Sequence, residues 1–224
     1  MQNDFAELKS SLLTMGSLTV QAVDLAVQGL IDNNAETAGQ AREIEKKVDS
    51  MYNDINEYCL AALAERLYSR EEINYLTCGL KIAMELERTC DYANQIAKLV
   101  QRKFSKQNSD ILASLRQLTG RMKHQSIDML RGALDCFATL DCARTLQVIA
   151  KDSTVDKGNR DLFREMVCVV SVNPWVQETI MDYHVAVRYI ERVGDRSTNI
   201  AELVHYIVNG EPLKKATAKK EAAQ

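Results

Sequence analysis

Two prolines and nine glycines are few for 224 residues. With so few helix breakers, and with Ala, Leu, Glu, Gln and Arg abundant, long uninterrupted helices are the expected elements. A Gly-rich phosphate loop, a GxSxG elbow, an HExxH pair and a Ser/His/Asp set are all missing, so catalysis finds less support in the sequence. The six cysteines, Cys59, Cys78, Cys90, Cys136, Cys142 and Cys168, include no CxxC pair. The start, Met1–Gln2–Asn3–Asp4, lacks the basic-then-apolar layout of a secretory signal. Reduced core thiols in a cytoplasmic protein are therefore expected. No continuous run of about 18 apolar residues occurs, which predicts no bilayer span. A formal net charge of −3 gives no reason to expect nucleic-acid binding.

What is present is an ordinary globular balance, 46% hydrophobic and 26% charged, arranged at helical spacing. Residues 4–31 carry Phe5, Leu8, Leu12, Met15, Thr19, Ala22, Ala26 and Leu30 in alternating three–four steps, the seam of an antiparallel bundle. Asn34 caps a second helix over 35–65, and Ser69 with Glu72 forms a capping box for a third, starting near Ser69 and reaching about Lys103. Its stripe includes Ile73, Leu76, Ala83 and Asn94. After a polar stretch at 103–109, a fourth helix spans 110–140. Asp141 caps a fifth over 142–170, weakened mildly at Gly158. Asn173–Pro174 starts a sixth that ends near Val208–Asn209–Gly210, with Trp175 anchoring its entry. The expectation is all-α: two tandem, pseudo-symmetric three-helix bundles at 1–104 and 105–210, then a polar tail at 211–224.

Acids interrupt these apolar stripes. Glu191 and Asp195 lie four residues apart, on one helix face with Val187 and Ala201. Glu87 and Asp91, also followed by Ile-Ala, repeat the pair at a constant offset of 104 residues. Glu45-x-x-Val48-Asp49 likewise matches Asp152-x-x-Val155-Asp156 at an offset of 107. Each three-helix unit thus carries one acidic pair on its second helix and one on its third, as two copies of one unit would.

Two neighbouring helices that each present acid-x-x-x-acid offer four carboxylates to one patch. Two carboxylates about 5 Å apart repel by roughly 3 kcal/mol at an effective dielectric near 20. Such a patch wants a cation, a proton or cationic neighbours. Carboxylate oxygens suit hard or borderline metals such as iron, manganese, magnesium or calcium. None of His124, His184 and His205 joins an acidic motif, so oxygen ligation would dominate, without the Glu-x-x-His of di-iron bundles. The competing explanation is a paired surface: Lys46–Asp49, Arg88–Asp91, Arg188–Glu191 and Arg192–Asp195 have i, i+3 spacing. Four acidic pairs at repeat-equivalent positions favour a purposeful site. His184 reads as a partly buried helix residue.

The motifs Glu191-Arg192-Val193-Gly194-Asp195 with Asn199-Ile200-Ala201-Glu202, and Leu86-Glu87-Arg88-x-x-Asp91 with Gln95-Ile96-Ala97, resemble the PhoU family. The resemblance runs from about Phe5 to Glu211. It implies tandem three-helix bundles whose acidic motifs hold metal ions, in some cases multinuclear, with iron, zinc, manganese or magnesium as candidates. The metal ligands it implies are Glu45, Asp49, Glu87 and Asp91 in the first unit, and Asp152, Asp156, Glu191 and Asp195 in the second. Cys90 stands where the second unit has Gly194 and could add a softer ligand. Tyr92 and Arg196 stand where the family often has His. The implied role is a non-enzymatic negative regulator of phosphate uptake and phosphate-starvation signalling. Its implied partners are the phosphate-specific ABC transporter and a sensor histidine kinase, and a homodimer is expected. The alternatives are an accessory protein of another phosphate transporter and, further off, a di-metal carboxylate enzyme.

Overall fold

The structure, a computed structural model, describes residues 5–104 and 111–213. The first four residues, most of the expected polar connection and the tail from 214 onward lie outside the described residues. Helices α1 (Ala6–Asp32), α2 (Ala35–Glu65) and α3 (Arg70–Leu99) pack on one another. A π-helical turn, Val100–Phe104, ends α3. Helices α4 (Ala113–Thr139), α5 (Cys142–Ala150), α6 (Asp152–Val172) and α7 (Gln177–Asn209) form the second group. No strand occurs among the described residues.

Local signals set most helix starts. Asn34 Oδ1 accepts the backbone N–H groups of Glu36 and Thr37, each at 3.0 Å. Ser69 and Glu72 form the reciprocal capping box, and Asp141 Oδ1 takes the N–H groups of Ala143 and Arg144. These contacts satisfy donors that a helix start otherwise leaves open.

Four expectations need correction. The predicted fifth helix is two helices, broken at Lys151 rather than weakened at Gly158, which lies inside α6. There Lys151 N–H bonds to Val148 O and Ser153 Oγ to Ala150 O, so short-range bonds tighten the chain where Asp, Ser and Thr follow in succession. Asn173 does not cap forward, since its amide bonds back to Val169 O. Pro174–Val176 is a 3-10 turn, and Trp175 is 73% exposed rather than an anchor. Ile73 is 41% exposed at the start of α3, whereas Leu76, Ala83 and Ala97 on the same stripe are buried.

The two groups share one continuous apolar core. Helix α1 packs on α4, and α3 packs on α7. Gly16 permits the first approach, because a Cβ there would collide with Leu134. Polar links reinforce both contacts. Buried Lys123 reaches Asp24 Oδ1 and Gln28 Oε1, each at 2.8 Å. Glu85 Oε2 accepts from Arg196 and Asn199, each at 3.1 Å, and the Tyr92 and Tyr189 rings stack with centroids 5.7 Å apart. Helix α1 matches a membrane span in length and average hydropathy, although its apolar run is punctuated by polar residues. Half of its most apolar stretch is buried in the bundle, where its apolar stripe serves the helical core.

Candidate metal centre

The seam positions of α2 and α3 bring the first four acids together. Val48 and Cys90 are fully buried between the helices, so Glu45, Glu87 and Asp91 lie half-buried beside them and Asp49 lies at the solvent edge. Burial holds the Glu87 carboxyl above the usual carboxylate range, and the charges of Asp91, Asp49 and Glu45 push it the same way. All four acids thus act on one patch. In the second group Asp152, Asp156 and Glu191 are half-buried and Asp195 is exposed. Burial raises Asp152, and Asp156, Asp195 and Glu191 add to the rise. The eight candidate acids form two sets of four, one in each helical group.

Their polar neighbours differ from the sequence expectation. Among the described residues no ion pair joins Lys46 to Asp49, Arg88 to Asp91 or Arg192 to Asp195. Lys46 instead pairs with Glu43 at 2.9 Å. The Arg192 guanidinium lies over the Tyr92 and Tyr189 rings, 5.6 and 5.8 Å from their centroids. Only the expected Arg188–Glu191 pair forms. The paired-surface explanation therefore loses three of its four contacts.

Asparagines take the place of those cations. Asn94 on α3 donates to Glu45 Oε1 at 2.8 Å, and Asn159 on α6 donates to Glu191 Oε1 at 2.8 Å. Each leaves its own carbonyl oxygen buried without a hydrogen-bond partner, as does the Thr198 hydroxyl, which is equivalent to Asn94 in the repeat. Asn94 stands on the apolar stripe of the third helix, and Asn159 lies seven residues after Asp152 and four after Val155, on the same helical face. Their polarity was the available signal, and sequence spacing could not show which carboxylate each would hold.

The donor chemistry fits a hard cation: four carboxylates per patch, with an unpartnered amide oxygen alongside. As the side chains stand, no three His, Cys, Asp or Glu groups among the described residues converge on one point, so ligation requires the carboxylates to swing inward. Cys90 is fully buried. Burial, together with Glu45, Asp91 and Glu87, pushes its thiol well above the ordinary range, which opposes its use as a thiolate ligand. Gly194, its counterpart, brings α7 close to α6. A Cβ there would lie 3.3 Å from Val155 Cγ1 and 3.5 Å from Asp152 Oδ1.

An all-helical double bundle with a four-carboxylate cluster on each half defines a duplicated helical scaffold with two acidic clusters. Residues 12–100 and 119–204 each match the PhoU domain, and the chain belongs to the PhoU family. It is 30% identical over 222 residues to a phosphate-specific transport system accessory protein PhoU homolog of Pseudomonas putida, covering 99% of this chain and 85% of that protein. It is 28% identical to the Escherichia coli phosphate-specific transport system accessory protein PhoU, over 93% of this chain and 85% of that protein. The crystal structure of PhoU from Pseudomonas aeruginosa superposes with a TM-score of 0.88 at 31% identity, covering 94% of this chain and 100% of that one. The crystal structure of the phosphate transport system regulatory protein PhoU from Streptococcus pneumoniae has a TM-score of 0.79 at 22% identity, covering 94% and 97% of the two chains, and supports the shared fold.

Proposed function

We propose that the protein is a negative regulator of phosphate uptake and phosphate-starvation signalling. It acts without catalysis, by contact with a phosphate-specific ABC transporter and its sensor histidine kinase, on the cytoplasmic side of the membrane. The two acidic clusters bind metal ions that shape the surface offered to those partners. The observation that carries this reading is the duplication itself. Four carboxylates recur at equivalent positions in both halves of a PhoU-family chain, and burial, with the charge of the neighbouring acids adding to it, pushes Glu87 and Asp152 toward protonation. Support for protein contact comes from large apolar side chains left in solvent. Phe163, Val167, Met181 and Val185 line a groove of about 630 Å³ between α6 and α7, and Leu60 near the end of α2 and Leu67 just beyond it stand exposed. A homodimer is one use for such a surface.

One complementation experiment tests both parts. A deletion strain receives either the wild-type chain or a variant carrying Glu87→Gln, Asp91→Asn, Glu191→Gln and Asp195→Asn. Deletion is expected to switch on phosphate-starvation genes, the wild type to silence them, and the variant to fail while binding little metal by elemental analysis. Unchanged gene expression on deletion would defeat the regulatory reading. Equal, near-zero metal in both purified proteins would defeat the metal reading alone.

A further inference from the structure

All six cysteines are free: Cys59, Cys78, Cys90 and Cys136 are buried, Cys142 is half-buried and Cys168 is exposed. Burial pushes the Cys59 and Cys78 thiols up to about 11, and moves Cys90 and Cys136 in the same direction. These four are structural thiols. Cys142 has different company. It is the first residue of α5, and His205 near the end of α7 places Nδ1 3.1 Å from its Sγ. Asn209 donates a side-chain N–H to the same sulfur at 2.7 Å. That amide nitrogen also lies 3.4 Å from His205 Nδ1 and 3.3 Å from Nε2, over the ring, and it bonds His205 O at 3.1 Å. His205 is 8% exposed and is held against the sulfur by packing, whereas Asn209 is exposed and is held there by its hydrogen bonds. The nearby charges are otherwise engaged. Asp141 caps α5 through the Ala143 and Arg144 N–H groups, and the Arg144 guanidinium faces Asp135 at 3.7 Å.

The geometry points to Cys142 as a peroxide-reactive thiol, with His205 receiving its proton and Asn209 positioning both. A thiolate is the competent sulfur nucleophile, and an imidazole within hydrogen-bond reach is the usual means of producing one. In the step, Cys142 Sγ attacks one oxygen of a hydroperoxide. The S–O bond forms, the O–O bond breaks, and its electron pair leaves on the far oxygen. The proton held by His205 passes to that oxygen, which departs as water or an alcohol. The sulfur is oxidised by two electrons to a sulfenic acid, and the peroxide is reduced by two. The added oxygen occupies the contact between α5 and α7 and takes the sulfur away from the Asn209 N–H, so oxidation is felt in how α5 packs.

Cys168 supplies the internal control. It is more exposed than Cys142, and among the described residues it has no hydrogen-bond partner. The reduced full-length chain is treated with stoichiometric hydrogen peroxide and a sulfenic-acid-trapping dione, and each cysteine is followed by peptide mass mapping. Cys142 is expected to label at least about tenfold faster than Cys168, a conservative figure for assistance by a positioned base. His205→Gln should bring Cys142 down to the Cys168 rate and leave Cys168 unchanged. Equal or faster labelling of Cys168 in the wild type overturns the proposal, as does unchanged Cys142 labelling in a folded His205→Gln protein. If that variant does not fold, the wild-type ratio of Cys142 to Cys168 decides.

Discussion

The two acidic clusters have the same plan and different surroundings. In the first, Glu45, Asp49, Glu87 and Asp91 have no ion-pair partner among the described residues, and a buried thiol, Cys90, lies beneath them. In the second, Arg188 pairs with Glu191, and Gly194 lets α7 approach Val155 of α6 closely. Even the asparagine has changed sides: Asn94 reaches from the third helix to Glu45 on the second, while Asn159 reaches from α6 to Glu191 on α7. Duplication preserved the carboxylates but not the groups that position them. The first cluster holds more uncompensated charge and should be the more demanding of a cation. The second carries a built-in competitor for one.

The largest test asks whether the halves that carry these clusters are energetically separate. Leu86 and Ile190 are repeat-equivalent and fully buried, each on the helix that bears a Glu and an Asp of its cluster. Leu86→Ala and Ile190→Ala should each cost about 2–5 kcal/mol, the range for truncating a packed aliphatic side chain. Because one continuous core joins the halves, each variant should lower the midpoint of a single denaturant transition seen by both near- and far-ultraviolet circular dichroism. Two transitions, with only the mutated half shifted, would show independent bundles.

A second test compares the clusters by pH. Glu87 and Asp152 both have folded-state carboxyls above the ordinary range, with burial as the larger cause and neighbouring acids as the next. For such a group the folded chain binds protons more strongly than the unfolded chain. Stability is therefore greatest below the unfolded carboxylate range, and declines as pH rises through the raised folded value. In metal-free protein, Glu87→Gln and Asp152→Asn should each flatten that decline in melting temperature between mildly acidic and neutral pH. A bound cation reverses the sign, since ligation needs the deprotonated form, so metal affinity should rise over the same interval. A decline unaltered in both variants would place its source outside the clusters.

How much of this could be read from the sequence depended on distance along the chain. Asn34, the Ser69–Glu72 box and Asp141 were legible because a cap bonds within three residues. The seams were legible because helical period and burial coincide at Leu12, Val48, Ala83 and Ala201. The grouping of Glu45 with Glu87, and of Asp152 with Glu191, followed from the repeat. Ion pairing was misread because spacing shows only what a side chain can reach. Arg192 had the rings of Tyr92 and Tyr189 as a competing partner, from two helices that meet only in the fold. The break falls at Lys151 rather than near Gly158 because local bonds in the run of Asp, Ser and Thr disrupt the helix more than a single glycine does. Cys142 and His205 are 63 residues apart, and no periodicity links them.

The smallest effect is the most specific to the contrast between clusters. Arg188 is about half exposed, and its partner Glu191 is largely covered. Removing the guanidinium by Arg188→Ala should cost only about 0.2–0.5 kcal/mol in metal-free protein, the worth of a single helical ion pair. Its effect on metal should run the other way. With Arg188 gone, Glu191 no longer exchanges an existing cation for an incoming one, and the second cluster should bind manganese or magnesium more tightly by isothermal titration calorimetry. The first cluster lies on other helices and should be unmoved. If both clusters tighten together, the two halves communicate through the α3–α7 contact, where Glu85 already ties Arg196 and Asn199 to the opposite bundle. If neither changes, Arg188 is a surface residue that happens to face an acid, and the difference between the clusters must come from Gly194 and Cys90.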